Sequence, residues 1–153
     1  MIERVSIGVK GQGLYPITRQ IAPVVSAAAD KEGLCTLFIR HTSASLLIQE
    51  NYDDSARVDL RYQAVEPVLE VYDDSARVDL ENWFNRLVPE NDPIFTHTIE
   101  GPDDMPSHIK SALTATQLSI PFENNELLLG TWQGIYLWEH RHHAGQREVL
   151  VHL

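Results

Sequence analysis

The stretch LSIPFENNELLLGTWQGIYLWEHRHHAGQREVLVHL, Leu118–Leu153, decides the fold. It divides into four apolar runs, LSIPF, LLLGTW, GIYLWEH and REVLVHL, with polar turns at Glu123-Asn124-Asn125 and near Ala144-Gly145. Runs of this length, bounded by turn residues, predict one strand after another. The other end of the chain predicts a strand too, because Ile2, Val5, Ile7 and Val9 alternate before Gly11 and Gly13 break the pattern. Between these ends the spacing changes. YPITRQIAPVVSAAAD places Ile17, Ile21, Val24, Val25 and Ala28 near helical spacing, with Pro23 disturbing the first turns and Gly33 as the expected stop. LCTLFIRH and SLLIQEN read as strands joined through TSA by a bend or hairpin. Ala76, Leu80, Trp83, Phe84 and Leu87 recur at threes and fours and predict one face of a helix, capped by Asp73 or Asp74 and followed by Pro89. PDDMPSHIKSALTATQ predicts another helix, with Asp103 or Asp104 as cap and Pro106 in its first turn. Strands at both ends with helices between predict an α+β fold on a largely antiparallel sheet.

The chain has 153 residues, enough for a single domain over 1–153. Its hydrophobic share of 43% and charged share of 22% are those of a folded globular protein. A net charge of -10 argues against binding to a phosphate backbone, so no nucleic-acid partner is expected. A local cluster can still take a small anion. Cys35 is the single cysteine and lies in an apolar run, where a buried small hydrophobe is expected rather than a reactive thiol. No apolar run approaches a membrane span, and MIERVSIGVK has charges where a signal peptide needs an apolar core. A cytoplasmic protein without membrane contact is expected.

Seven histidines are many for this length. His41 ends a strand and opens HTSAS, His97 lies in the loop FTHTIEGPDD, His108 falls in the first turn of the following helix, and His140 ends the run GIYLWEH. Imidazole is the commonest metal ligand, and catalytic zinc sites use three protein ligands plus water. No local spacing here matches a zinc finger or an H-E-x-x-H helix, so the fold must assemble any such site. Surface or capping roles are the alternative, and His142, His143 and His152 are assigned to them. Glu50, Glu100, Asp103, Asp104 and Glu139 offer carboxylates to orient a histidine, move a proton or hold a divalent ion. Asp103-Asp104 is also explained as a helix cap. Glu139 interrupts an apolar strand, where an unpaired charge would be costly. Thr42, Ser43 and Ser45 place hydroxyls near His41, without a nucleophile-elbow pattern around them. In GTWQG, Trp132 and Gln133 offer a ring to stack on and an amide to hydrogen-bond a planar ligand, and a bulge with a core tryptophan explains them equally well.

HTSASLLIQEN, EGPDDMPSHIKSAL and LGTWQGIYLWEHR, in that order, closely resemble the YjbQ-like family, also called secondary thiamine-phosphate synthase enzymes. The resemblance implies a small α+β fold, a homotrimer, and a histidine-rich pocket for a divalent metal. Zinc is the expected ion, with magnesium as the alternative beside a diphosphate. It implies a weak synthase activity joining hydroxymethylpyrimidine diphosphate to a thiazole phosphate with release of pyrophosphate. On this reading His41, His97 and His108 are the metal ligands. Glu50, Glu139 and His140 are the catalytic candidates, with Ser43, Asp104, Trp132 and Gln133 on the substrate. A metal-dependent phosphate-ester hydrolase, and a non-catalytic trimer binding a small ligand or metal, are the alternatives.

YDDSARVDL occurs twice, at 52–60 and 72–80. The family resemblance would run on unbroken if Glu81 followed Leu60, so 61–80 read as an insertion ending in a copy of its left flank. Unselected duplication or deliberate engineering explains a letter-perfect repeat better than function does. Twenty residues of continuous helix would turn the second copy roughly 200° from the first, and Pro67 opposes such a helix. One copy is therefore expected in the helix position and the other displaced. The second copy is expected to dock, because it runs directly into the Trp83–Leu87 face, with residues near 55–70 looped out or in a short extra helix.

Overall fold

The structure is a computed structural model, and it describes residues 1–50 and 75–153. Its elements run β1 (Ile2–Val9), β2 (Gly13–Pro16), α1 (Thr18–Ser26), β3 (Glu32–Ile39), β4 (Ala44–Glu50), α2 (Ser75–Leu87), α3 (Asp104–Leu113), β5 (Gln117–Glu123), β6 (Glu126–Leu127), β7 (Gln133–Glu139) and β8 (Gly145–His152). The strands form two antiparallel sheets, one in the order β1-β8-β3-β5-β6 and one in the order β2-β7-β4. The expected α+β architecture is present.

The run GIYLWEH is apolar on both sides because β7 is covered on both faces. Ile135 and Leu137 join Ile7, Leu37, Ile39, Leu46, Val149 and Val151 in the main core, with Ile21 and Val25 of α1. Tyr136 and Trp138, the alternate residues, form a second core with Leu14, Phe84 and Val88. Pleating sends successive side chains to opposite faces. Glu139 therefore continues the first row and His140 the second, a separation that governs what each does. Cys35 is fully buried, and burial raises its thiol to about 11, as suits an inert core position.

Several expectations are corrected. Tyr15 and Pro16 belong to β2, α1 ends at Ser26, and Gly33 lies inside β3 rather than stopping the helix. β3 and β4 form no hairpin. They belong to different sheets, so residues 40–43 turn a corner between layers. LLLGTW contributes only Leu127 to the two-residue β6: Leu128 still donates its N–H to Pro121 of β5, but Pro121 has no N–H to return, and Leu129 turns its N–H back to Leu127. In α2 only Phe84 is buried, and Trp83 and Leu87 are each 52% exposed, so the apolar face is narrower than its spacing predicts.

Ser75–Leu80 of the second copy form the first half of α2, while the first copy and the expected cap at Asp73 or Asp74 lie outside the described residues. The anchors of α2 lie just downstream of this copy. Phe84 and Val88 fill the second core, and Glu81 Oε1 accepts the Leu14 N–H at 2.9 Å. Asn85 Nδ2 reaches Gln12 at 3.0 Å. All of these follow Leu80. In the same register the first copy would bring Arg61, Ala64 and Val65 to the places of Glu81, Phe84 and Asn85. Removing 61–80, which yields the same chain as removing 52–71, keeps every anchor. The shortened protein is expected to unfold at the same or a higher temperature than the full chain. Circular dichroism melting checks this, and loss of folding would show that the insertion is part of the scaffold.

Candidate functional site

Three side chains meet where α3 begins. Asp104 is nearly fully buried in the first turn of α3, and His108 stands one turn later on the same face. His97 reaches in from the preceding loop. His97 Nε2 lies 2.7 Å from Asp104 Oδ2, and His108 Nε2 lies 3.5 Å from the same oxygen. Among the described residues this is the one group of three potential ligands within 4.8 Å of one another. Tetrahedral zinc with bonds of about 2.0–2.1 Å holds its ligand atoms roughly 3.4 Å apart. The His108 spacing already matches, and the His97 spacing must open by about 0.7 Å from a hydrogen bond to a shared ion. Two imidazoles and a carboxylate are a donor set that zinc and other divalent ions accept, so the residues present fit the expected metal.

Arg141 fixes the carboxylates behind this cluster. Its guanidinium binds Asp104 Oδ1, meets Asp103 Oδ2 at 3.1 Å and donates to the Glu100 carbonyl at 2.7 Å. Asp103 also accepts the His142 N–H at 2.8 Å. Neither aspartate has the capping role expected from sequence. Asp103 occupies the N-cap position with no side-chain cap bond, and its Oδ2 instead accepts from Arg141 and the His142 N–H, both distant in sequence. Burial acts to raise the Asp103 carboxyl, but the His142 N–H and the Arg141 guanidinium outweigh it and hold it below the ordinary value. His108 lies in the second turn of α3, not the first.

His41 faces a neighbouring cavity of about 380 Å³ lined by His41, Ser43, Glu100, Arg141, His143 and Arg147. The Ser43 N–H donates to His41 Nδ1 at 3.3 Å and the Ser43 hydroxyl stands 2.9 Å from the same nitrogen. That leaves Nε2 to carry the proton of the neutral ring. Burial, then Arg147, lowers the His41 pKa; Glu139 opposes them, and Arg141 and His108 add to the lowering. Under the cavity, fully buried Glu139 accepts Arg147 Nε at 2.5 Å and the Arg141 N–H at 2.9 Å. The buried charge flagged by the sequence is therefore paired.

Glu50 and Gln133 are register partners at the far end of the β4–β7 pair, while Ala44 partners Glu139 at the near end. Six residue steps separate Gln133 from Glu139, about 20 Å along the strand. Trp132, 55% exposed, and Gln133, whose Oε1 accepts the Gly130 N–H at 2.8 Å, thus stand with Glu50 away from the histidines. His140 points to the other face of β7 and is 1% exposed. The structure gathers His97, Asp104 and His108, sets His41, Ser43 and Glu139 beside them, and leaves Glu50, Trp132, Gln133 and His140 elsewhere. Arg141 and Arg147 were not picked out from the sequence, and His143, assigned there to a surface or capping role, lines the cavity; the signal that could have found the arginines was the need of Glu139 for a cation.

Burial, with a smaller contribution from Lys110, lowers the His140 pKa to about 3. The unfolded chain takes up a proton near 6.5 that the folded chain refuses until about 3, so His140 contributes stability above 6.5 that is lost as pH falls through that window. Denaturant unfolding from pH 7 to pH 4 is expected to show falling stability, with a shallower slope in His140→Phe. An unchanged slope in that variant would remove His140 from this account.

The model of the UPF0047 protein YjbQ-like family matches residues 3–71 and 63–153, each match carrying one copy of YDDSARVDL. The chain belongs to the UPF0047 YjbQ-like family. UPF0047 protein sll1880 of Synechocystis is 45% identical over 147 residues, covering 96% of this chain and 86% of its own. UPF0047 protein YjbQ of Escherichia coli O157:H7 is 36% identical over 152 residues, covering 97% and 93%. A conserved hypothetical protein from Thermus thermophilus superposes with a TM-score of 0.75 at 28% identity, covering 99% and 98% of the two chains. A YbjQ-like protein of unknown function from Sulfolobus solfataricus shares the fold with a TM-score of 0.75 at 18% identity, covering 99% and 95%. These findings correct the synthase expectation. The family they show is UPF0047 and carries no thiamine-phosphate synthase activity to this chain, and the ring-binding residues that activity would use stand about 20 Å along β7 from Glu139. No helix among the described residues is long and apolar enough to cross a membrane.

Proposed function

We propose that this chain is a metal-dependent hydrolase of small phosphate esters, with His97, Asp104 and His108 as the metal ligands. The observation that carries the reading is the convergence of those three ligand atoms within 4.8 Å, with Asp104 bound by Arg141, a residue that also lines the open cavity of about 380 Å³. Three protein ligands leave a position for water or substrate. A bound divalent ion would supply charge to polarise a phosphoryl oxygen and to activate water. The chain's own residues do the rest. Arg141 holds Asp104 so that Oδ2 faces both imidazoles, an orienting contact of the kind metal sites need. His41 Nε2–H, with the guanidinium edges of Arg141 and Arg147 in the same cavity, donates to phosphate oxygens.

A second reading, a non-catalytic protein binding a metal or small ligand, is favoured by one observation: both guanidiniums already face carboxylates. Association into a homotrimer belongs to the same proposal, supported by the exposed Leu34 and Phe38 on the outer face of β3, and light scattering reads it.

Orthophosphate release from a panel of phosphate monoesters, with zinc, manganese or magnesium supplied, tests the proposal. Release that needs the metal and disappears in the His97→Ala, His108→Ala double variant is expected. Metal binding without release selects the non-catalytic reading, and release that survives the double change sinks the proposed site.

A further inference from the structure

Behind β7, on the face covered by α2, lies a small chamber whose lining shares no residue with the metal cluster or the 380 Å³ cavity. The volume open to the centre of a water molecule is about 10 Å³, close to the space one water needs. Phe84 and Trp138 wall it, their rings 5.8 and 5.5 Å from that of His140. Its polar lining includes Glu81 and Asn85 of α2, Lys110 of α3 and His140. His140 Nε2 meets Ser45 Oγ at 2.9 Å, but its buried Nδ1 has no hydrogen-bond partner among the described residues. A buried polar atom without a partner is rare in native proteins. Lys110 is 2% exposed and donates to Asn85 Oδ1 at 2.5 Å, and its ammonium carries three donors.

We propose that this chamber is a binding site for one ordered water, which accepts a hydrogen bond from Lys110 Nζ and donates one to His140 Nδ1. Its second hydrogen is directed at the Glu81 carboxylate, so the water has the two to four polar partners that buried waters have. With Nδ1 accepting, the ring proton sits on Nε2 and is donated to Ser45 Oγ. The water then joins α2, α3 and the end of β7 at one point. Lys110 follows the metal-ligand candidate His108 by two residues, and His140 lies between Glu139 and Arg141. The bridge therefore ties the seat of α2 to the elements that present the metal cluster.

A high-resolution crystal structure of the full chain, with ¹⁵N NMR of the His140 ring, tests this without reference to metal or phosphate. The expected result is a water within hydrogen-bond reach of both Lys110 Nζ and His140 Nδ1, and a ring carrying its proton on Nε2. In His140→Phe, which removes the acceptor and keeps a ring, the water is expected to be lost. An empty chamber, a direct Lys110–His140 bond, a proton on Nδ1, or a water that persists unchanged in His140→Phe would each overturn the proposal. None of these outcomes bears on the hydrolase reading.

Discussion

Replacing Arg147 with methionine is expected to destabilise the folded chain by about 3–5 kcal/mol, the cost of leaving a buried charge without its partner. Glu139 is 0% exposed, and Arg147 Nε stands 2.5 Å from its Oε2. The Arg141 N–H on Oε1 remains in the variant, but a single amide does not balance a full charge. Methionine keeps much of the arginine stem's volume, so the change removes the charge more than the packing. For a domain of this size the midpoint of thermal unfolding should fall by roughly 6–20 °C. The double variant Glu139→Gln, Arg147→Met should recover much of the loss, because no charge is then left buried. A single variant as stable as the parent would mean that water reaches Glu139 and the pair is dispensable.

Replacing Asp104 with alanine is expected to weaken zinc binding by more than about 100-fold, beyond the 10–100-fold that loss of an orienting partner costs. Asp104 Oδ2 is the atom both imidazoles approach, at 2.7 and 3.5 Å, so its removal takes away the centre of the cluster. Arg141→Gln touches no proposed ligand atom directly and is expected to fall inside the 10–100-fold range through Asp104. His143→Ala, in the cavity lining but outside the three-ligand cluster, should leave zinc affinity unchanged. Competition titration against a chromogenic chelator reads all three, with circular dichroism confirming that each variant is folded. An Asp104→Ala protein that binds zinc like the parent would dissolve the cluster as a metal site.

The strands and helices were legible wherever one face meets the core and the other meets water. β1 and β8 carry that alternation in their letters, whereas α3 buries Asp104, Ser107, Lys110 and Ser111 and was legible through its start signals. β7 was legible for a different reason: it is apolar throughout because a core lies on each side of it. What could not be read was pairing across the sequence. Nothing local separates a hairpin from the corner that puts β3 and β4 in different sheets. Nothing local shows that Asp103 and Asp104 turn to Arg141 instead of capping their helix. Three of the histidines that the sequence picked, His41, His97 and His108, do lie at one end of the fold, but the third member of the tight cluster is Asp104. Glu50, Trp132 and Gln133 were grouped with the histidines through the resemblance, and the register of β4 with β7 places them at the other end. The duplicated YDDSARVDL was ambiguous in isolation. Ser75–Leu80 of the second copy are helical and run directly into Glu81, Phe84, Asn85 and Val88, which anchor α2.

His97, Asp104 and His108 are proposed to hold one divalent ion. Zinc titrated into purified, chelator-stripped protein, beside the His97→Ala, His108→Ala double variant, tests it most directly. One tightly bound zinc per chain is expected in the parent and none in the folded double variant. Equal zinc binding by both proteins, or no binding by the parent, would contradict it.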